Sequence, residues 1–207
     1  MADNYLERRQ QELASSQKKV VVRNHLSLDT LLHRNRSYRG YDPSRRVTEE
    51  ELRELVGVVS LTASGMNRQV LRFRPVLEPE LILPHITLGA ALPDEHLPKP
   101  GTEPSALLVV CSTVPEDKVM DIDLGFAAQS ILLKATQMGL GGIFILNFRK
   151  EAVKEVLSLP LEPVAIIAIG KPAESVFLLP SDGENLKYYR KEGVHYVPKL
   201  TINHLII

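Results

Sequence analysis

The chain has 207 residues, which suits one domain or one domain with extensions, and it is 44% hydrophobic, enough for a packed core. Lys plus Arg and Asp plus Glu both number 25, so the formal charge is zero. That balance argues against a dedicated nucleic-acid binder, which carries a basic excess, but leaves room for a local basic pocket.

The one cysteine, Cys111, lies in the run ALLVVCS and cannot form an internal disulfide, which fits a reducing compartment. It reads as a small buried hydrophobe in a strand. No apolar run approaches the roughly 18 residues of a membrane helix. The first residues, MADNYLERRQQELASSQKK, hold no apolar signal core. The expectation is a cytoplasmic protein without membrane attachment.

Residues 3–19 read as a polar helix with few apolar positions (Tyr5, Leu6, Leu13, Ala14), an arm that lies on its own domain or on a partner subunit. Leu28, Leu31 and Leu32 make a short helical turn. Thr48 to Leu61 is an amphipathic helix: Thr48 and Glu51 form a capping box, and Leu52, Leu55, Val56 and Val59 repeat at helical spacing. The segment ASGMNRQ, Ala63 to Gln69, ends that helix, and Phe73 to Leu77 alternates weakly as a strand. Residues 78–105 carry six prolines, and so long a connection inside a compact domain usually serves as a lid or excursion.

Ala106 to Ser112 is a continuous apolar run, expected as a strand covered on both faces. Val119 to Met138 is the strongest helix. Asp123, Ser130, Lys134 and Gln137 form its polar stripe, and the remaining positions read as apolar or small and therefore mostly buried. Gly139, Gly141 and Gly142 stop it. Ile143 to Leu146 is a strand, Lys150 to Leu157 a helix and Val164 to Gly170 a third buried strand. The tail HYVPKLTINHLII alternates, and adds a strand or wraps a neighbour. Helices and strands thus alternate in an α/β or α+β sandwich, with residues 1–25 as an arm and 26–207 as the domain.

Two polar clusters stand out. In HRNRSYRGYD, three arginines and a serine crowd into Arg34 to Gly40. Arginine is planar and permanently charged, and it matches phosphate through paired donors; Ser37 and nearby backbone N–H groups donate as well. A solvated run paired to neighbouring acids fits the same spacing. Ser64, Asn67 and Gln69 form the second cluster. Amides combine donors with acceptors, which suits a heterocycle edge or a polyol chain, and equally suits simple helix termination. The histidines, His25, His33, His85, His96, His195 and His204, are scattered without metal-ligand spacing, and no metal site is expected.

The order of these features decides more than either cluster. An Arg/Ser group, a capping-box helix and Ser-x-x-Asn-x-Gln together resemble the nitroreductase family of flavoproteins. The resemblance continues through DIDLGFAAQSILLKATQMGLGGIFI, through VAIIAIGKPAE and into KYYRKEGVHYVPKL. It implies a nitroreductase-like sandwich with a central mixed sheet flanked by helices. It also implies FMN as cofactor, NAD(P)H as reductant, a nitroaromatic, quinone or similar small-molecule acceptor, and a homodimer with flavin in the subunit interface.

Carried over, Arg36, Ser37 and Lys199 serve the flavin phosphate. Arg39 lies near the N1–O2 edge, where a fixed cation stabilises the charge of the reduced ring. Asn67 and Gln69 hold the ribityl chain or ring edge, with Ser64 nearby, and the backbone of Leu146 and Asn147 faces N5 and O4. No side chain is required as acid or base, because the cofactor carries the chemistry. The chain departs from the family pattern at Asn35, Ala63, Met66, Val70, Leu146, Asn147 and Leu200. Those departures keep open an alternative, a protein of the same fold that binds flavin, or no cofactor, without turnover.

Overall fold

The structure is a computed structural model and describes residues 26–88, 92 and 97–207. The expected arm, residues 1–25, lies outside the described residues. The central sheet contains β1 (Leu71–Val76), β2 (Ala106–Ser112), β3 (Gly141–Ile145) and β4 (Glu162–Gly170). The strand order is β1-β2-β4-β3, and each neighbouring pair is antiparallel. Among the described residues, the mixed character expected of this sheet is confined to one parallel bridge, between Ser37 and Gly142 at the β3 edge.

Every residue of β2 is buried, as are all of β4 after Glu162. Alternating side chains feed two separate cores. Leu108, Val110, Ala165, Ile167 and Ile169 pack under α2 (Glu49–Gly57) and α3 (Lys118–Gln137). Leu107, Val109, Ile143, Ile145 and Ile166 pack on the opposite face with Val153 of α4 (Lys150–Val156) and with Ile82. This explains the unbroken apolar runs: a strand covered on both faces has no side that needs a polar residue. The Pro-rich excursion is therefore anchored at its start, since Ile82 is fully buried and Ile86 bridges Phe148.

The helix boundaries follow their caps. Thr48 accepts from the Glu51 N–H at 3.2 Å while the Glu51 carboxylate accepts from the Thr48 N–H at 3.0 Å, closing the expected capping box. The helical periodicity runs past Gly57, but the α-helix ends there and Val58–Leu61 tightens into a 3-10 turn. Helix α3 ends on Gly139 at φ 75°, where the Leu140 and Gly139 N–H groups reach back to the carbonyls of Ala135 and Thr136. That is a Schellman stop. Gly141 and Gly142 have a different role from the one their position after a helix suggests. A Cβ on Gly142 would lie 2.2 Å from the Ala168 carbonyl oxygen, and one on Gly141 would lie 2.7 Å from Tyr38 and Pro172. Gly141 clears space for the arginine-bearing segment to lie along β3, while Gly142 lets β3 lie close to β4 and to Leu132 of α3.

Two expectations for α3 need correction. Asp123 is buried and bonded, so it is no part of a solvated stripe. Conversely, Ile122 and Phe126 are about half exposed, at 47% and 50%. The tail forms β7 (Val194–Leu200), the middle strand of a second sheet. It pairs parallel with β5 (Ser175–Ser181) and antiparallel with β6 (Tyr189–Lys191). No described helix is long and apolar enough to cross a membrane.

Candidate functional site

The arginine segment follows α1 (Leu28–Arg34), whose N-cap Ser27 accepts from the Thr30 N–H. After the helix the chain turns extended at Asn35. Ser37 then bridges Gly142, and the Tyr38 N–H donates to the Gly142 carbonyl at 3.1 Å. Tyr41 pins the far end: it is fully buried, and its hydroxyl donates to the Tyr38 carbonyl at 2.8 Å. Burial pushes its ionisation far above the usual phenol range, so it stays a neutral donor.

From the other end of the chain, β7 projects side chains at period two. His195, Val197 and Lys199 share one face. That face and the arginine segment enclose a cavity of about 340 Å³. Arg36, Ser37, Arg39 and Lys199 all line it, so three residues expected at a phosphate and the one expected at a ring edge share one cavity. Asn35, the departure from the family pattern, lines it too.

The two arginines are held differently. Arg36 donates through Nη2 to the Leu32 carbonyl, and Arg39 donates through Nη1 to the Ser37 carbonyl at 3.1 Å. Arg39 is buried, and its guanidinium carbon lies 5.4 Å from the Tyr188 ring centroid. The Arg39 backbone N–H donates to the Glu174 carboxylate at 2.5 Å, and the other oxygen of that carboxylate takes Arg190. The expected alternative, arginine side chains spent on surface acids, does not describe these two. The Nε atoms of both Arg36 and Arg39 are buried without a hydrogen-bond partner. Such donors are costly to leave unpaired, and a phosphorylated ligand would satisfy them. Desolvation lowers the Arg36 pKa from its usual value, yet the guanidinium keeps its charge at neutral pH.

Ser64, Asn67 and Gln69 are not in this cavity. Ser64 and Gln69 line a second one of about 250 Å³, bordered by Asp123 and Ala127 of α3. There the Ser64 hydroxyl donates to Asp123 at 2.7 Å and accepts from the Gln69 N–H at 3.0 Å. Asp123 also accepts from the Gly65 N–H at 2.8 Å. Gln69 donates through its amide to the Asn67 side-chain oxygen at 2.8 Å. Met66, Asn67 and Gln69 all sit at positive φ, 53°, 54° and 47°. Three such residues within four positions are uncommon outside glycine and mark a loop held by its surroundings. The hold is Asp123, together with Gly65, where a Cβ would lie 2.3 Å from Val119.

Leu146 and Asn147 line neither cavity. They follow β3 at its far end, both exposed, and the Asn147 carbonyl accepts from the Thr87 N–H at 2.9 Å. Gln129, Tyr188 and His195 also line the cavity, polar residues that no sequence motif marked. The period-two face that carries Lys199 was the signal for His195. Gln129 was hidden by treating the central helix as apolar.

Residues 89–171 match the model of the nitroreductase family. A protein of Methanothermobacter thermautotrophicus, provisionally named NADH dehydrogenase/NAD(P)H nitroreductase, is 29% identical over 153 residues, 68% of this chain and 74% of that protein. A nitroreductase family protein of Streptococcus pneumoniae superposes with a TM-score of 0.60 at 18% identity, over 75% of this chain and 94% of that one. The nitroreductase fold is the fold of this chain. An FMN-dependent nitroreductase of Clostridium difficile shares that fold, with a TM-score of 0.56 at 22% identity over 70% of this chain and 87% of that one. The family-matched residues span the nitroreductase-like sheet from β2 to β4 and the central helix α3. Arg36, Ser37, Arg39 and Lys199 lie outside them, on the segments that build the cavity wall.

Proposed function

We propose that the chain is an FMN-dependent oxidoreductase that passes electrons from NAD(P)H to a nitroaromatic, quinone or similar small acceptor. One observation carries the reading: two arginines, each with a buried Nε atom that has no hydrogen-bond partner, share a cavity with Ser37 and Lys199. Bound FMN would supply the hydride chemistry. The chain's residues bind and orient it. Arg36, Ser37 and Lys199 take the phosphate, and Arg39, fixed by Tyr188 and Glu174, places a permanent cation against the ring's electron-rich edge.

The second cluster fits this reading only in a homodimer. Within one chain Ser64, Asn67 and Gln69 open onto a different cavity from Arg36 and Arg39. The half-exposed Ile122 and Phe126, with Leu28 and Leu61 at 61% and 84%, supply apolar surface for a second copy. That copy would bring its own Ser64–Gln69 loop to the flavin.

The exposed Leu146 side chain, 62% accessible beside Asn147, favours the second reading, a flavin-binding protein without turnover. Absorbance separates the readings. A yellow protein bleached by NAD(P)H and reoxidised by a quinone supports the enzyme. A yellow protein that NAD(P)H never bleaches supports binding alone. A colourless protein that refuses added FMN refutes both and favours a cofactor-less protein of the same fold.

A further inference from the structure

Building on the flavin reading, we propose that Glu174 is a positioning residue: it sets where the Arg39 cation stands against the flavin, and so how readily the flavin is reduced. Glu174 does not line the cavity itself. Residues 171–173 run antiparallel to residues 40–42. Tyr41 bridges Pro172, the Ala173 N–H donates to the Gly40 carbonyl at 3.1 Å, and the Asp42 N–H donates to the Lys171 carbonyl at 2.8 Å. This short ladder delivers the Glu174 side chain to the arginine segment. One carboxylate oxygen accepts from the Arg39 N–H at 2.5 Å, and the other accepts from Nη2 of Arg190. The Glu174 and Arg190 side chains are each only 12% exposed. Gly40 leaves room for the approach, since a Cβ there would lie 3.1 Å from Glu174 Cγ.

These contacts close a circuit around Arg39. Arg190 sits on β6, two residues after Tyr188, and the Tyr188 ring carries the Arg39 guanidinium. One carboxylate therefore ties the backbone of Arg39 to the strand whose approach holds its side chain. Glutamine cannot replace it. The amide has one acceptor oxygen, so it serves one of the two donors and turns its own N–H groups toward the other. A cation stabilises developing charge only while it is aimed at it. Loss of Glu174 has two opposed effects on a bound flavin. Removal of a negative charge makes reduction easier, and displacement of Arg39 makes it harder. Coulombic influence falls with distance, and Arg39 lines the cavity while Glu174 does not, so the displacement of Arg39 prevails.

Spectroelectrochemical titration of the full-length protein loaded with FMN tests this through the sign of the change. Glu174→Gln should lower the midpoint potential of the bound flavin, by less than Arg39→Ala does. In the double variant Arg39→Ala/Glu174→Gln the potential should fall no further than in Arg39→Ala alone, because the carboxylate acts through that arginine. Should Arg39→Ala retain no flavin, the sign in Glu174→Gln decides by itself. Should Glu174→Gln fail to fold, Gly40→Ala takes its place: it crowds the carboxylate without removing it, and it should lower the potential in the same direction. A potential that stays the same or rises in the single variant overturns the role of Glu174 and leaves the flavin reading standing. So does a further fall in the double variant. Wild-type protein that binds no FMN brings down both.

Discussion

The guanidinium of Arg39 lies 5.4 Å over the ring of Tyr188, which joins the segment after the first helix to the approach to the sixth strand. Such a contact holds a cation in place without neutralising it. Arg39→Ala should weaken FMN binding roughly tenfold to a hundredfold, the range of a hydrogen bond to a charged group. It should also lower the midpoint potential of any flavin retained. Tyr188→Leu should produce a smaller loss of about two- to fivefold, matching about 0.5–1 kcal/mol for a solvent-accessible cation–π contact. Full flavin content and an unchanged potential in Arg39→Ala would falsify the role assigned to that cation.

Lys199 tests the phosphate end separately. Lys199→Ala should reduce affinity for FMN while leaving riboflavin binding as it was, because riboflavin lacks the phosphate. The salt dependence of FMN binding should become shallower as well, since one exposed cation has been removed. Fluorescence titration with the two flavins reads both effects. Equal losses for both ligands would place Lys199 elsewhere.

The exposed apolar face of α3 makes a prediction about assembly. Phe126→Asp puts a charge where a second copy is expected to press, and a buried unpaired charge is strongly disfavoured. Sedimentation should show a shift from dimer to monomer, with loss of bound flavin and little change in the secondary structure of the separated chain. A wild-type protein that sediments as a monomer with flavin bound would remove the need for the second copy.

Asp123 makes a prediction about stability. Its carboxylate, 4% exposed, accepts from the Ser64 hydroxyl and the Gly65 N–H. Asp123→Ala leaves both donors without their partner and should cost about 1–3 kcal/mol, measured by denaturant unfolding. Asp123→Asn keeps one acceptor oxygen and should cost less. An unfolding midpoint equal to wild type for Asp123→Ala would mean that the loop is held by something else.

The sheet was the most legible part of the chain. The runs ALLVVCS and VAIIAIG have no polar position to alternate with, and they fold as the two central strands with a core on each face. The capping box named the start of the second helix to the residue. What misled was the equation of apolar with buried. Ile122 and Phe126 belong to the apolar count of the central helix but stand on its outer side, while Asp123, polar by type, is sealed beneath the Ser64 loop. Periodicity along one helix cannot say which side a neighbouring loop will cover. The cavity shows the same divide. Arg36, Ser37, Arg39 and Lys199 were recognisable from motif order. Gln129 and His195 become visible only once a helix turn and a strand face, remote in sequence, close on the same space.

The parallel pairing of β7 with β5 has a consequence for biosynthesis. Lys199 reaches its place only when this late strand has slotted between β5 and β6, both of which emerge from the ribosome before it. A chain still lacking that strand has its arginines but no opposing wall, so the pocket between them can hold a ligand only once the small sheet has zipped shut.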